Sequence, residues 1–536
     1  MAGLFIFLFF KLEISHFLHQ IMDFKKIALK VLQFFKKNKK IFIFASILLI
    51  IFLSLFPRAV DVLNVNPIFG FDQGRDYLAV KNIVVDHKPT LIGAELGAGS
   101  AGISGIFQGP FYYYFLSIPF LLSGGNPVTG VAMMLAFSLA SICLGYYLGK
   151  KMFGGGFGLL TAFLMAISPI LIGQARFIWN PHMPTFFILL TLIFFYLFLI
   201  KKKNYFIFLF SFFAGFIYNF ESAVAIPLSA CLVIYSLVLF RRKIINYLFL
   251  FGGFLFSITP MILFEIRHSF IGLKGLISYL TANHSTSSSS LNQSFAIDHV
   301  KSIVFNFKDT FPIDNFNLGL LFLILLLGIS VYFLMSEKRK ELKYFFWFPI
   351  FLIPITLFIF SFLKNALWSY YLTDLNISYI LLFTYILYSI MHRKLYKMLT
   401  ISLIFIFILG IIGAYNSIKV SLYDYKDYGG TAKLKGKVDA IDFIYADARS
   451  KNFGVLVFSP PIYTYPYDYL LWWHGLRKYG YIPYSDKRGT FYLLIEPDPQ
   501  KPWTYKGWLE TVIKTGEIQW TKKLPSGFII QKRIQT

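Results

Sequence analysis

From Ile41 to Tyr415 the chain is a succession of apolar runs separated by short loops rich in Lys and Arg. Crossing the hydrocarbon of a bilayer as a helix takes about 20 apolar residues. Many of these runs reach or approach that length, and no single water-soluble core could bury them all. The residues are 57% hydrophobic and 20% aromatic, in agreement. The sequence therefore describes a polytopic α-helical membrane protein. Lys and Arg number 51 against 26 acids, a formal charge of +25. In a soluble protein that excess would raise nucleic acid as a partner. Here it lies in loops between spans, where it reports orientation, and no nucleic acid is implied. Cys143 and Cys231 fall inside apolar runs and give no sign of disulfide or metal chemistry.

The expected spans are 41–56, 128–148, 156–174, 183–200, 205–220, 223–240, 245–264, 317–335, 344–362, 370–390 and 397–415, about 11 in all. FYYYFLSIPFLLS at 111–123 is apolar but roughly 13 residues long, too short to cross, and reads as an interfacial or re-entrant helix. Lys150–Lys151, Lys201–Lys203, Arg241–Lys243, Lys338–Lys340 and Arg393–Lys394 then all face the cytoplasm. If 111–123 crossed, every one of these clusters would flip outward, so the positive-inside rule selects the first arrangement. The expected organisation is a multi-pass plasma-membrane protein with its N-terminus in the cytoplasm. A basic cytoplasmic segment covers 1–40, a transmembrane domain 41–418 with a long outer loop at 58–127, and a soluble α/β domain 419–536 outside. Within the first segment LFIFLFF is too short to span and lacks a basic lead and a cleavage site. Met22 opens the basic amphipathic stretch MDFKKIALKVLQFFKKNKK and is a candidate true start.

The outer side collects what is unusual. GFDQGRDY (70–77) places Asp72, Arg75 and Asp76 at i, i+3 and i+4, one face of a helical turn. Acid and base together at the lip of a bilayer suggest chemistry on something the membrane delivers. A plain helix start, with Asp72 as cap and Arg75 as its surface partner, explains the same spacing. The glycine-rich run GAELGAGSAGISG that follows lacks the Lys and the strand context of a nucleotide loop. ARFIWNPHMP, YNFES, FEIRHSF and LKNALWSYY bring Arg176, Asn180, His182, Glu221, Glu265, Arg267 and His268 to the same membrane face. Singly each reads as an interfacial anchor; gathered on one side they suggest a shared polar cavity. ANHSTSSSSLNQS (282–294) reads as a low-complexity outer loop.

Beyond residue 420 no spanning run occurs. KVDAIDFIYADARSK has the period of an amphipathic helix, GVLVFS that of a buried strand, and TFYLLIEP, GEIQW and GFIIQKRI those of further strands. The aromatics of YDYLLWWHGLRKYGY suit either stacking on sugars or packing against the membrane part.

The order of these parts resembles the GT-C glycosyltransferases, in the branch holding protein O-mannosyltransferases and the lipid A aminoarabinose transferase. In that branch the first span leads to an outer loop with a catalytic acid, often Asp-Glu, followed by Arg. In FDQGRDY, Asp72 matches the acid, Gln73 stands in place of the Glu, and Arg75 matches the Arg. QGPFYYYFLSIPF resembles the family's juxtamembrane helix, Ala175-Arg176 with Asn180 its Ser-Arg and following Asp, and FEIRH its outer His/Arg site. The resemblance covers roughly residues 41–420. It implies an inverting transfer of a sugar from a polyprenyl-phosphate donor to a lipid, glycan or protein acceptor at the outer face, among membrane lipids. Asp72 would be the general base. Arg75, Arg176, Arg267, His268, Gln108, Asn180 and Glu221 would bind donor phosphate or substrate. Glu95, Glu221 and His268 are the candidates for a divalent cation, although no spacing demands one.

Two other classes fit the composition: a lipid-linked saccharide transporter and a non-catalytic cell-envelope assembly protein. A transporter should show interrupted helices in mirrored positions. Pro169, Pro227, Pro260 and Pro354 instead sit singly or toward span ends. An assembly protein leaves Asp72 and the outward Arg/His set without a purpose.

Overall fold

The computed structural model describes residues 38–96, 105–241, 243–281, 289–361, 367–426, 430–460 and 463–535. The N-terminal segment to residue 37 with Met22, most of the glycine-rich run, the first half of 282–294 and residues 362–366 lie outside the described residues.

Over their described residues the eleven expected spans are mainly helical, but they are not alike. Among the described residues eight helices are long and apolar enough to cross a membrane, from Lys40–Leu63 to Tyr396–Asp424. Two more are bent pairs, Gly155–Ile167 with Pro169–Ala175 (67°) and Ile244–Ser257 with Thr259–Arg267 (66°). Asn204–Asn219 is a shorter apolar helix between two spans. The bends correct the expectation of uninterrupted spans, and proline is their cause. A proline ring disfavours the helical conformation in the residue before it, and Ser168, ahead of Pro169, is extended at φ −64°, ψ 117°. Pro260 likewise opens the helix that follows the second break. Phe111–Ser123 is a short helix of 13 residues, as expected, and ends on Gly124 at φ +63°.

The C-terminal part carries a four-stranded sheet: β1 (Gly454–Phe458), β2 (Thr490–Ile495), β3 (Glu517–Lys523) and β4 (Ile529–Ile534), in the order β1-β2-β4-β3. β1 and β2 run parallel, and the other neighbours are antiparallel. β2 is nearly all buried, as the continuous apolar run TFYLLI requires, whereas edge strand β3 is mostly exposed and ends on two lysines, which discourages further pairing. Helix Leu434–Ala448 packs its apolar stripe, including Ala440, Ile441 and Ile444, inward.

This sheet region is joined to the first long loop along one continuous seam. Phe69 N donates to Ala432 O at 3.1 Å and Leu434 N to Pro67 O at 2.8 Å, a two-residue antiparallel contact. Just beyond it the loop helix Phe71–Val84 lies against helix Tyr465–His474 of the sheet region. Tyr469 is fully buried among Phe69, Tyr77 and Phe120, and its hydroxyl donates to Gly125 O. Trp473 Nε1 donates to Gly124 O at 2.9 Å, and Lys81 sits 5.6 Å over the Trp472 ring. Most aromatics of the YDYLLWWH stretch therefore serve packing.

The seam closes at Gly74, where a Cβ would lie 2.3 Å from Pro466 N and 2.5 Å from Tyr465 C. Those are backbone atoms, so a side chain there forces the two helices apart. Gly74→Ala is expected to cost about 1–3 kcal/mol, as overpacking does. It should lower the midpoint of thermal unfolding and quicken proteolysis between the spans and the sheet region; an unchanged melting curve would show that the helices are not pressed together here.

Candidate functional site

The loop helix begins at a cap built from its own sequence. Gly70 is extended at the N-cap, and its N–H donates to Gln73 Oε1 at 2.9 Å. The same Gln73 side chain donates from Nε2 to Ile178 O at 2.7 Å, tying the helix start to the segment between two spans. Gln73 is 1% exposed. At the position where the resembling family often has Glu, this chain holds an amide with both ends engaged.

One turn on, Arg75 sits between two acids. Its Nη1 lies 2.9 Å from Asp72 Oδ1, its Nη2 2.8 Å from Asp76 Oδ1, and its Nε donates to the same Asp76 oxygen at 2.9 Å. The acids differ sharply in environment: the Asp72 side chain is 31% exposed and that of Asp76 0%. Burial pushes the Asp76 carboxyl up to about 6, with the Asp72 charge adding to the shift and Arg75 opposing it. For Arg75, burial works against the charge, but Asp76, Tyr113 and Asp72 outweigh it and raise the guanidinium above its ordinary range. Tyr113 reaches this cluster from helix Phe111–Ser123, where burial and Asp76 together raise its phenol.

A second polar cluster gathers Gln108, Asn180 and Glu221. Gln108 Oε1 accepts from Ser222 N at 2.9 Å and from its hydroxyl at 2.8 Å, and Gln108 Nε2 reaches Glu221 Oε1 at 3.4 Å. Glu221 caps helix Ser222–Phe240 by accepting from Ala223 N at 3.1 Å. Asn180 donates to Phe220 O at 2.6 Å. Gly109 allows the approach, because a Cβ there would stand 2.0 Å from Asn219 Oδ1. Tyr370 feels the charges of both Glu221 and Asp72. On its other side Tyr370 packs against Trp179, ring centroids 4.5 Å apart.

Arg176 lies elsewhere. It donates to Asp61 at 2.6 and 3.1 Å and to Asp424, and Lys433 stands 4.0 Å from Asp61 and 3.8 Å from Asp424. The guanidinium proposed by resemblance for a phosphate is thus already engaged by two carboxylates. Arg267 is exposed and makes no ion pair with another described residue. His268 stacks on Phe264 at 4.1 Å and bonds Phe264 O at 2.9 Å through Nδ1, and Phe264 packs edge-on against Phe107 at 5.6 Å. Glu265 accepts from Gly272 N and Leu273 N, fixing the start of the next helix. His182 lies beside Phe177 and Trp179.

The three candidate metal ligands are not brought together. Glu95 accepts from Gly105 N at 2.8 Å, Glu221 is held by Gln108, and His268 is on exposed helix Thr259–Arg267's C-cap. Among the described residues no group of three His, Cys, Asp or Glu side chains could hold a metal ion. Sequence reasoning missed Asp61, Asp424, Tyr113 and Tyr370. The first two had a signal, since an acid at the end of an apolar span is costly and implies a partner; the tyrosines had none.

Among the described residues, eight long apolar helices, two bent helix pairs, a short helix in the first loop and a sheet region seated on that loop define a polytopic membrane protein with a GT-C-like fold. In particular, the chain is similar to the aminoarabinose transferase ArnT from Cupriavidus metallidurans bound to undecaprenyl phosphate. The TM-score is 0.56 at 13% identity, over 92% of this chain and 98% of that one. The same protein in the apo state gives 0.54 at 13% identity over 93% and 98%. The oligosaccharyltransferase of Archaeoglobus fulgidus, in complex with Zn and sulfate, gives 0.49 at 12% identity over 90% and 72%. No protein-family model and no curated protein matches the sequence.

The engagement of Arg176 has a measurable consequence. Removing one partner from a mostly buried ion pair typically costs roughly 3–5 kcal/mol, because the other charge is left uncompensated. Arg176→Ala should therefore reduce the folded yield and thermal stability strongly, while the surviving folded fraction binds a polyprenyl-phosphate sugar as the parent does. Normal stability with lost lipid binding would return Arg176 to the phosphate site.

Proposed function

We propose that this protein is an integral-membrane glycosyltransferase. It transfers a sugar from a polyprenyl-phosphate donor to a lipid, glycan or protein acceptor, at the outer face of the plasma membrane and with inversion. The observation that carries the proposal is the Asp72–Arg75–Asp76 cluster, in which one acid is accessible and the other wholly buried. The likeness of fold to a transferase bound to undecaprenyl phosphate supports the donor class.

In this reading the acceptor hydroxyl oxygen attacks the anomeric carbon and forms the new glycosidic bond. The bond from that carbon to the phosphate oxygen breaks, and its electron pair leaves with the polyprenyl phosphate. The acceptor proton passes to Asp72, which alone of the two acids can be reached. A phosphate leaves without a general acid, so cations matter more than a second carboxyl group. Arg267 is the exposed candidate for holding it, and its planar fork suits a phosphate. Arg75, braced by buried Asp76, fixes the Asp72 carboxylate and adds positive charge nearby. Gln108, Asn180, Glu221 and His268 are the remaining substrate-side candidates; the first three already share one hydrogen-bonded region.

The two bent spans favour a second reading, a transporter of lipid-linked saccharides, since broken helices recur at transport sites. Release of polyprenyl phosphate from a labelled polyprenyl-phosphate sugar separates the two, because a transporter leaves the donor intact. Asp72→Asn should lower turnover on the order of 10²–10⁴-fold with donor binding unchanged. Asp76→Asn should stay partly active, and full activity in the Asp72 variant would refute the assigned base.

Acidity gives an independent check. On acidification through about 6 Asp76 takes up a proton, so the Asp72–Arg75–Asp76 group loses one negative charge. A donor phosphodiester keeps its one negative charge across that range, so its repulsion by the group falls on acidification. Binding of a polyprenyl-phosphate sugar should be about 5-fold tighter at pH 5 than at pH 8, and Asp76→Asn should flatten the dependence. A parent with equal affinity at both pH values contradicts the placement of donor phosphate near this group.

A further inference from the structure

Three aromatic rings beside the proposed base are not accounted for by packing. Tyr469, Trp472 and Trp473 of helix Tyr465–His474 are engaged in the seam, but Phe71, Tyr463 and Tyr465 form a separate cluster. Their centroids are 5.3 to 5.4 Å apart, and the Tyr463 and Tyr465 planes are within 16° of parallel. Tyr463 is 50% exposed, an unusual cost for a ring held in a defined stack. Phe71 comes from the loop helix and the tyrosines from the sheet region, so the cluster exists only when the two parts are docked.

Its neighbours decide what it suits. Arg75 lies 5.8 Å over the Phe71 ring and 2.9 Å from Asp72 Oδ1, so one guanidinium links the aromatic surface to the proposed base. A pyranose has an apolar C–H face and a rim of hydroxyls. The C–H bonds are the positive end of a weak dipole and fit the negative face of an aromatic ring, while the hydroxyls need charged or polar partners at the edge. A prenyl chain offers nothing to Asp72 and Arg75. We infer that Phe71, Tyr463 and Tyr465 form a stacking subsite for a pyranose of the acceptor, presenting one of its hydroxyls to Asp72. The inference rests on the transferase reading of the Asp72 site and specifies the acceptor as carbohydrate. The tyrosines belong to the sheet region rather than to the spans.

The test uses the full-length protein in detergent and saturation-transfer NMR with a panel of methyl pyranosides and short pyranose oligosaccharides. At least one should receive saturation at its ring C–H protons. The signal should fall about 10-fold in Tyr463→Ala/Tyr465→Ala and persist in Tyr463→Phe/Tyr465→Phe, which keeps the rings and controls for folding. Binding of undecaprenyl-phosphate hexose should be the same in all three proteins. An undiminished signal in the alanine variant, or none in the parent, overturns the subsite; weakened donor binding in the alanine variant reassigns the rings to the donor sugar and overturns the acceptor assignment. Undecaprenyl phosphate release is scored separately: a parent that binds pyranosides through these rings but never releases the lipid refutes the transferase reading and leaves the carbohydrate subsite standing.

Discussion

The arrangement around the loop helix depends on one ion-pair node. Arg176 joins Asp61, near the end of the first span, to Asp424, near the end of the last, with Lys433 close to both acids. Mostly buried charges are tolerated only where their partners are held in place. Segments distant in sequence are thereby drawn to one point. From Lys433 the chain passes directly into the backbone contact with Pro67 and Phe69, and from Phe69 into the helix that carries Asp72. The node and the seam are consecutive stretches of one structure, so a disturbance of either is felt at the acid.

Burial, rather than residue type, separates the acids of the octet. Asp72 and Asp76 are four residues apart on one helical face and share one arginine, yet only Asp72 meets solvent. Two carboxylates in different surroundings around a single cation are a common way for a protein to divide an ionised group from a structural one. Here the buried partner holds the cation and the cation holds the accessible acid.

The apolar runs and their loops made the membrane architecture legible, and the short β-rich apolar runs beyond residue 430 marked all four strands, because both signals lie in the local sequence. Helix Phe111–Ser123 was legible from its length alone. The breaks at Pro169 and Pro260 are not legible in the sequence: a proline near a span end looks like a terminus, and only geometry shows the chain turning by more than 60° and continuing as a helix. The acid and base of the octet were visible as a pattern. The engagement of Arg176, the burial of Asp76 and the aromatic cluster across the seam were not, since each depends on elements that only the fold brings together. The same is true of Glu95, Glu221 and His268, whose side-chain types suggested a metal site that the fold keeps dispersed.

Gln73 carries a further lesson. Its oxygen accepts from Gly70 N–H and its nitrogen donates to Ile178 O, so the residue works as a coupling with one female and one male end. A carboxylate has only acceptor ends; it could cap the helix but would face the Ile178 carbonyl oxygen with like polarity. The amide is therefore a structural commitment of this chain. The spans can hold the helix start by an uncharged link, which leaves Asp72 as the lone accessible anion at that end and any electrostatic attraction there under the control of a single group.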